Sequence, residues 1–225
     1  MSARIAVLAF PGSCDDRDAL RAVELVGAEP VRVWHADSDL GGAAAVIVPG
    51  GFSYGDYLRP GALAALSPAM AAVRELAAAG GPVLGICNGF QVLTEAGLLP
   101  GVLRPNAHLK FRCQDVGLRV QRESGWLPDL VSGDVLEIPV KHHDGCYFAT
   151  PAQLEDLDVH GGVLLRYVRN PNGSVESIAC VTNVAGNVAG LMPHPEHAVD
   201  PLLGSVDGRI LLRGLVDQAA VGAPA

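Results

Sequence analysis

Pro82-Val83-Leu84-Gly85-Ile86-Cys87-Asn88-Gly89-Phe90-Gln91 decides how this chain is read. An apolar run ends in Gly-x-Cys-x-Gly, and a helix-compatible segment follows. The pattern is the cysteine form of a nucleophile elbow, in which a strand turns sharply into a helix and holds one side chain at the apex. Glycines two residues either side let the backbone bend and let neighbouring elements approach. A thiol at the start of a helix feels the positive end of the helix dipole, which favours its thiolate. On its own, such a run is more often a buried strand-end cysteine, because free cysteine is among the most buried residue types. The rest of the sequence reverses that balance.

Working outward from the elbow, strands and helices alternate. Arg4 to Phe10, Val31 to Trp34, Ala44 to Val48 and Pro82 to Ile86 read as strands. Asp15 or Asp16 is placed to cap a helix running to about Val26, with Gly27 as its stop. Gly61 to Ala79 reads as one alanine-rich helix, and Asn88 to Ala96 as the helix after the elbow. This rhythm predicts a mostly parallel sheet with helices on both faces, a flavodoxin-like three-layer α/β sandwich. In the second half, Val116 to Gln121, Val135 to Val140, Val163 to Val168 and Ser177 to Thr182 read as strands with few helices between, a small antiparallel β extension. Arg209 to Ala220 is the expected last helix. No linker, repeat or low-complexity segment divides the chain, so residues 1–225 are expected to form a single domain.

Two further motifs fall where ligands sit in such sheets, beyond the carboxyl ends of the strands. The first is Leu191-Met192-Pro193-His194-Pro195-Glu196-His197. Its prolines predict a rigid extended segment, in which side chains two apart point the same way. His194 and Glu196 then share a side, and a catalytic histidine needs such a partner to fix its tautomer. By itself a His-Pro-Glu is more often a surface turn. Beside a cysteine elbow it points to a Cys87–His194–Glu196 triad. The second motif, Pro49-Gly50-Gly51-Phe52-Ser53-Tyr54-Gly55-Asp56-Tyr57, leaves a buried strand. The backbone N–H groups of Gly51 and of Asn88 are placed to form an oxyanion hole. A phosphate loop fits poorly, since no Lys-Ser or Lys-Thr follows the glycines.

Nearly half of the 225 residues are apolar (49%), enough for a large core. A net charge of −8 argues against a nucleic-acid or anionic-membrane partner. No apolar stretch reaches the roughly 20 residues of a membrane span. The amino terminus runs straight into a strand without a signal-peptide layout. Five cysteines, without a Cys-x-x-Cys pair, make a disulfide framework improbable. These features together predict a cytoplasmic protein. Lys141-His142-His143-Asp144-Gly145-Cys146 mixes metal-ligating residue types, but adjacent histidines on a strand face opposite ways. No metal site is expected. Cys14, Cys113, Cys146 and Cys180 read as packing residues.

The same blocks resemble the class I, triad-type glutamine amidotransferases. Phe10-Pro11-Gly12-Ser13, Gly51-Phe52-Ser53-Tyr54-Gly55-Asp56-Tyr57-Leu58-Arg59, Cys87-Asn88-Gly89-Phe90-Gln91, Asn170-Pro171-Asn172-Gly173-Ser174 and Met192-Pro193-His194-Pro195-Glu196 carry the resemblance over nearly the whole chain. The second and third are specific to the purine-synthesis branch, the glutaminase subunits of phosphoribosylformylglycinamidine synthases. The resemblance implies hydrolysis of L-glutamine to glutamate and ammonia. The ammonia would serve a large synthase subunit that converts formylglycinamide ribonucleotide with ATP and magnesium, bridged by a small accessory subunit. No cofactor is implied for this chain itself. The resemblance also implies substrate contacts at Gln91 and His142, and a partner-facing role for Asp56, Tyr57 and Arg59. The chain departs from the family pattern in three places. Cys14-Asp15 stands for the usual Asn-Cys, His143-Asp144 for Gly-Glu, and His197 for a frequent Arg. Two other readings stay open from sequence: a glutaminase feeding another synthase, such as that for pyridoxal phosphate, or a non-hydrolytic cysteine protein of the DJ-1 group.

Overall fold

The computed structural model describes residues 2–221; Met1 and residues 222–225 of the expected domain lie outside them. The strands are β1 (Arg4–Ala9), β2 (Glu29–Trp34), β3 (Ala45–Val48), β4 (Val83–Ile86), β5 (Val102–Arg104), β6 (Arg112–Val120), β7 (Val135–His142), β8 (Cys146–Phe148), β9 (Val163–Tyr167), β10 (Ile178–Thr182) and β11 (Val188–Leu191). The helices are α1 (Asp16–Leu25), α2 (Pro68–Ala78), α3 (Asn88–Glu95), α4 (Pro151–His160) and α5 (Gly208–Val221).

Nine strands form one sheet in the order β2-β1-β3-β4-β11-β10-β9-β6-β7. The first five are parallel and the last four antiparallel. Burial falls from the middle of the sheet, where β10 is also buried throughout, towards its edges. β3, β4 and β11 are buried at every residue, as strands covered on both faces must be. β7 instead alternates buried with more exposed residues, the signature of a sheet with one face open. The antiparallel half is therefore a continuation of the main sheet. A separate two-stranded sheet pairs β5 with β8; at three residues each, these strands carry too little pattern to be read from sequence.

The connection from β1 to β2 runs one way along the sheet and that from β3 to β4 runs the other. Right-handed crossovers then put their helices on opposite faces. α1 packs with α5 on one face, and α3 lies against β3, β4 and β11 on the other. The layers match the expected three-layer sandwich.

Two helices differ from expectation. The long helix predicted over 61–79 is broken, with α2 starting only at Pro68. Ser67 adopts an extended conformation and accepts the Met70 N–H. A residue before proline is driven out of the helical region, and Ser-Pro is a start signal that the alanine content obscured. α4 has no counterpart in the apolar pattern of the sequence. Only its Leu157 is fully buried, so it shows no apolar period. Its ends carry the signal instead: a Thr150–Gln153 capping box and Gly161 in the left-handed conformation.

The elbow glycine has a specific cause. A Cβ on Gly89 would overlap the Val48 carbonyl oxygen, so α3 rests directly on the end of β3. Gly89→Ala should cost about 1–3 kcal/mol through overpacking. Thermal unfolding followed by circular dichroism should show a lower midpoint, by about 2–4 °C per kcal/mol. An unchanged midpoint would contradict this contact.

Candidate active site

Four strand ends converge. The loop after β1 delivers Asp15, β3 delivers Gly50 and Gly51, β4 delivers Cys87, and β11 delivers His194. Cys87 sits at the apex with φ 51° and ψ −106°, a conformation that costs a non-glycine residue energy. Hydrogen bonds on both sides hold it there. Its N–H donates to the Leu191 carbonyl of β11 at 2.8 Å, and its carbonyl accepts the Gln91 N–H of α3 at 3.2 Å. Its sulfur is nearly buried and lies 3.8 Å from the Lys141 carbonyl.

His194 is 0% exposed. Its Nδ1 lies 2.6 Å from Glu196 Oε1, and its backbone N–H donates to the Pro139 carbonyl. The predicted extended segment is absent here. Pro195–His197 form a single 3-10 turn, which the fixed proline φ favours at its first position. The turn, not a strand, brings the imidazole and carboxylate together. The other ring nitrogen, Nε2, is buried and makes no hydrogen bond. Burial disfavours the charged ring, but the Glu196 carboxylate and the adjacent Cys87 sulfur outweigh it and raise His194 to about 10.

Gly51 adopts φ 142°, in the region that favours glycine. Its loop is stitched to residues 12–14 by Phe52 N–H to the Gly12 carbonyl and Cys14 N–H to the Gly50 carbonyl. Among the described residues, neither Gly51 N–H nor Asn88 N–H donates to a loop or side-chain acceptor. Asn88 opens α3, where an N–H has no acceptor within the helix. Its side chain locks the two donors together: Oδ1 accepts the Ser53 N–H and Nδ2 donates to Gln91 Oε1. Gln91 is buried, not a helix-surface residue, and its Nε2 donates to the Asp144 carbonyl. Its amide is thus engaged by the protein, bracing two walls of the pocket that Cys14, Gly51, Cys87, Gln91, Lys141 and Asp144 line.

His142 also lines that pocket, yet its ring nitrogens are taken. Nδ1 donates to Asn106 Oδ1 at 3.1 Å, and Nε2 accepts from Asn172 Nδ2 at 3.4 Å. That cage fits only the neutral ring, and burial lowers its pKa to about 4. A direct contact between the His142 imidazole and substrate does not fit this geometry; the ring supports the wall. Asn106 carries no local signal in the sequence, whereas Asn172 lies in the Asn170–Ser174 block, which marks the resemblance but not this role. Arg59 is paired bidentately with Glu95, while Tyr57 and Leu58 on the same loop are exposed. Asp56 lines the pocket, and burial followed by the nearby Asp144 charge raises it to about 6.

The largest surprise is Asp15. Expected as a helix cap, its side chain makes no capping hydrogen bond. It turns inward to Lys141 Nζ, to His197 Nε2 at 3.3 Å, and towards His194 Nδ1 at 3.7 Å. Asp15, His194, Glu196 and His197 offer ligand atoms within 4.8 Å of one another. A cation already meets that charge, since the Lys141 ammonium occupies the Asp15 carboxylate. The set does not fit a metal.

The neutral His142 makes a stability prediction. Its folded pKa is lower than the unfolded 6.5, so the unfolded chain takes up the proton first. Stability then falls as pH drops from about 6.5 to about 4, by about 3 kcal/mol in total. Urea titrations of His142→Gln should lack that part of the slope. An identical slope in both proteins would contradict the cage.

The chain is similar to known proteins over nearly its whole length. The family described as CobB/CobQ-like glutamine amidotransferase domain matches residues 2–209. Phosphoribosylformylglycinamidine synthase subunit PurQ of Rubrobacter xylanophilus is 56% identical over 219 residues, covering 97% of this chain and all of that protein (100%). The subunit of the same name from Corynebacterium efficiens is 56% identical over 222 residues, covering 98% and 100%. A chain in the solved structure of PurLQS from Thermotoga maritima superposes with a TM-score of 0.89 at 43% identity, covering 96% of this chain and 99% of that one. With a family match across nearly the whole sequence and relatives this similar, the chain belongs to the CobB/CobQ-like glutamine amidotransferases, among the PurQ subunits of phosphoribosylformylglycinamidine synthase.

Proposed function

We propose that this chain hydrolyses glutamine through Cys87, His194 and Glu196 and hands the ammonia to a synthase subunit. One observation carries the reading. A buried imidazole is clamped on Nδ1 by a carboxylate at 2.6 Å, with Nε2 left without a hydrogen bond and the apex cysteine, Cys87, beside the ring. That is the arrangement a base needs before a nucleophile.

The substrate amide carbonyl lies between Cys87 and the N–H groups of Gly51 and Asn88. The thiolate attacks the carbonyl carbon, and the two N–H groups hold the oxyanion. Losing one such donor typically costs about 3 kcal/mol of transition-state stabilisation. The His194 imidazolium then protonates the departing nitrogen, and ammonia leaves. His194 next takes a proton from water, which hydrolyses the glutamyl thioester to glutamate. Glu196 keeps the Nδ1 proton in place and stabilises the charged ring throughout. Gln91, Asn88 and His142 act by holding the pocket walls.

Ammonia is useful only where a partner consumes it. The names of the relatives, and the PurLQS assembly that one of them belongs to, support a large synthase and a small accessory subunit as partners. Amidination of formylglycinamide ribonucleotide with ATP and magnesium is assigned to that large subunit, and no cofactor to this chain. The exposed Tyr57 and Leu58, on the loop beside the pocket, suit a partner contact. A cytoplasmic setting is supported by five free cysteines. Among the described residues no helix is long and apolar enough to cross a membrane.

Glutamate release from glutamine is the test. The isolated chain should be weakly active and should gain at least about tenfold when the synthase and accessory subunits are added with their nucleotide. Cys87→Ala should abolish release in both settings while keeping the wild-type circular dichroism spectrum. Turnover by the Cys87→Ala protein would overturn the assignment, and equal rates with and without partners would overturn the proposed coupling.

A further inference from the structure

One buried charged group beside the triad, Asp15, is one that nothing in the triad requires. Asp15 is 2% exposed. From the loop after β1 it approaches Nδ1 of His194, the nitrogen that Glu196 also holds. The approach is close: a Cβ on Gly50 would collide with both the Asp15 carboxylate and the His194 ring. At 3.7 Å its Oδ2 is too far from Nδ1 to replace the 2.6 Å bond of Glu196. Its influence on the ring is therefore through charge.

Around Asp15 stand His194, Glu196 and His197 from the segment after β11, Lys141 from β7, Cys87 from the end of β4, and Cys14 and Asp16 from its own segment. Burial would push the Asp15 carboxyl up. His197, His194 and Lys141 outweigh it and hold it well below the usual carboxylate range, so it is ionised. Lys141 touches both sides of the network: its ammonium binds Asp15, and its carbonyl lies beside the Cys87 sulfur. Two of the departures from the family pattern, Asp15 and His197, meet here at 3.3 Å.

We infer that Asp15 is a positioning residue for His194: a second carboxylate that favours the charged imidazolium, its own charge kept in check by Lys141. The inference deepens the proposed reaction and rests on Cys87 and His194 being the reacting pair. An ordinary ion pair between Asp15 and Lys141 would stabilise the fold without touching His194. The two roles make different predictions. Neutralising Asp15 removes a negative charge beside the ring, which should then give up its proton more readily. Neutralising Lys141 leaves Asp15 uncompensated, and the ring should hold its proton more tightly.

The experiment follows the ring directly, by 15N NMR of the full chain labelled at histidine, with the His194 signals identified by their loss in His194→Gln. Asp15→Asn should lower the pH at which His194 loses its second proton by about one unit, and Lys141→Gln should raise it. With the synthase partners present, Asp15→Asn should cut kcat by about tenfold to a hundredfold and change KM much less. If Asp15→Asn does not fold, the upward shift in Lys141→Gln still decides. Titrations unchanged in both variants, with only a lowered melting temperature, would overturn the inference and leave the triad standing. A wild-type His194 that titrates near an ordinary imidazole would instead sink the reading of the Cys–His pair itself.

Discussion

The hydrogen bond from Cys87 N–H to the Leu191 carbonyl is the constraint on which the site depends. It is the last rung between β4 and β11, which run parallel at the centre of the sheet. Because that register ends both strands level, the residues that follow them emerge side by side. Cys87 turns at once into α3, and His194 comes two residues after Met192. Nothing local to either motif brings them together. The pairing of two fully buried strands does so, and the hydrophobic burial that stabilises the sheet also sets the distance between sulfur and imidazole.

The sheet also explains how an unfavourable backbone conformation at Cys87 persists. Its φ of 51° is held by β11 on one side and by the first turn of α3 on the other. α3 in turn rests on β3 at a glycine that admits no side chain. The Cys87 side chain thereby lines the pocket while staying largely buried. In that setting charges matter more than on a surface. Glu196 and Asp15 approach the imidazole at 2.6 and 3.7 Å, the His197 ring packs beside it, and the Lys141 ammonium binds Asp15.

Much of this was legible in the residues, and the failures share a cause. The elbow could be read because its glycines and cysteine are contiguous. The parallel strands could be read from unbroken apolar runs such as Ala45–Val48. His194 and Glu196 were paired correctly for a wrong reason: a 3-10 turn through Pro195 replaces the extended chain. Asp15 was misread because a short acidic residue before a helix is locally a good cap, while its actual partners lie over a hundred residues away. The surroundings of His142 were hidden likewise, because the asparagines that enclose its ring come from two other loops. α4 hid its signal at its ends. Local chemistry was readable; side chains whose roles are fixed by distant buried partners were not.

If the Cys87 sulfur attacks glutamine with His194 at its side, a glutamyl thioester on Cys87 must form during turnover. The complex turning over glutamine is quenched in acid, digested, and searched by mass spectrometry for a glutamyl group on cysteine. The adduct should appear on the Cys87 peptide alone and should be absent when His194 is replaced by glutamine. A glutamyl group on Cys14, the other thiol on the pocket wall, or turnover with no cysteine adduct under any quench, would contradict that attack.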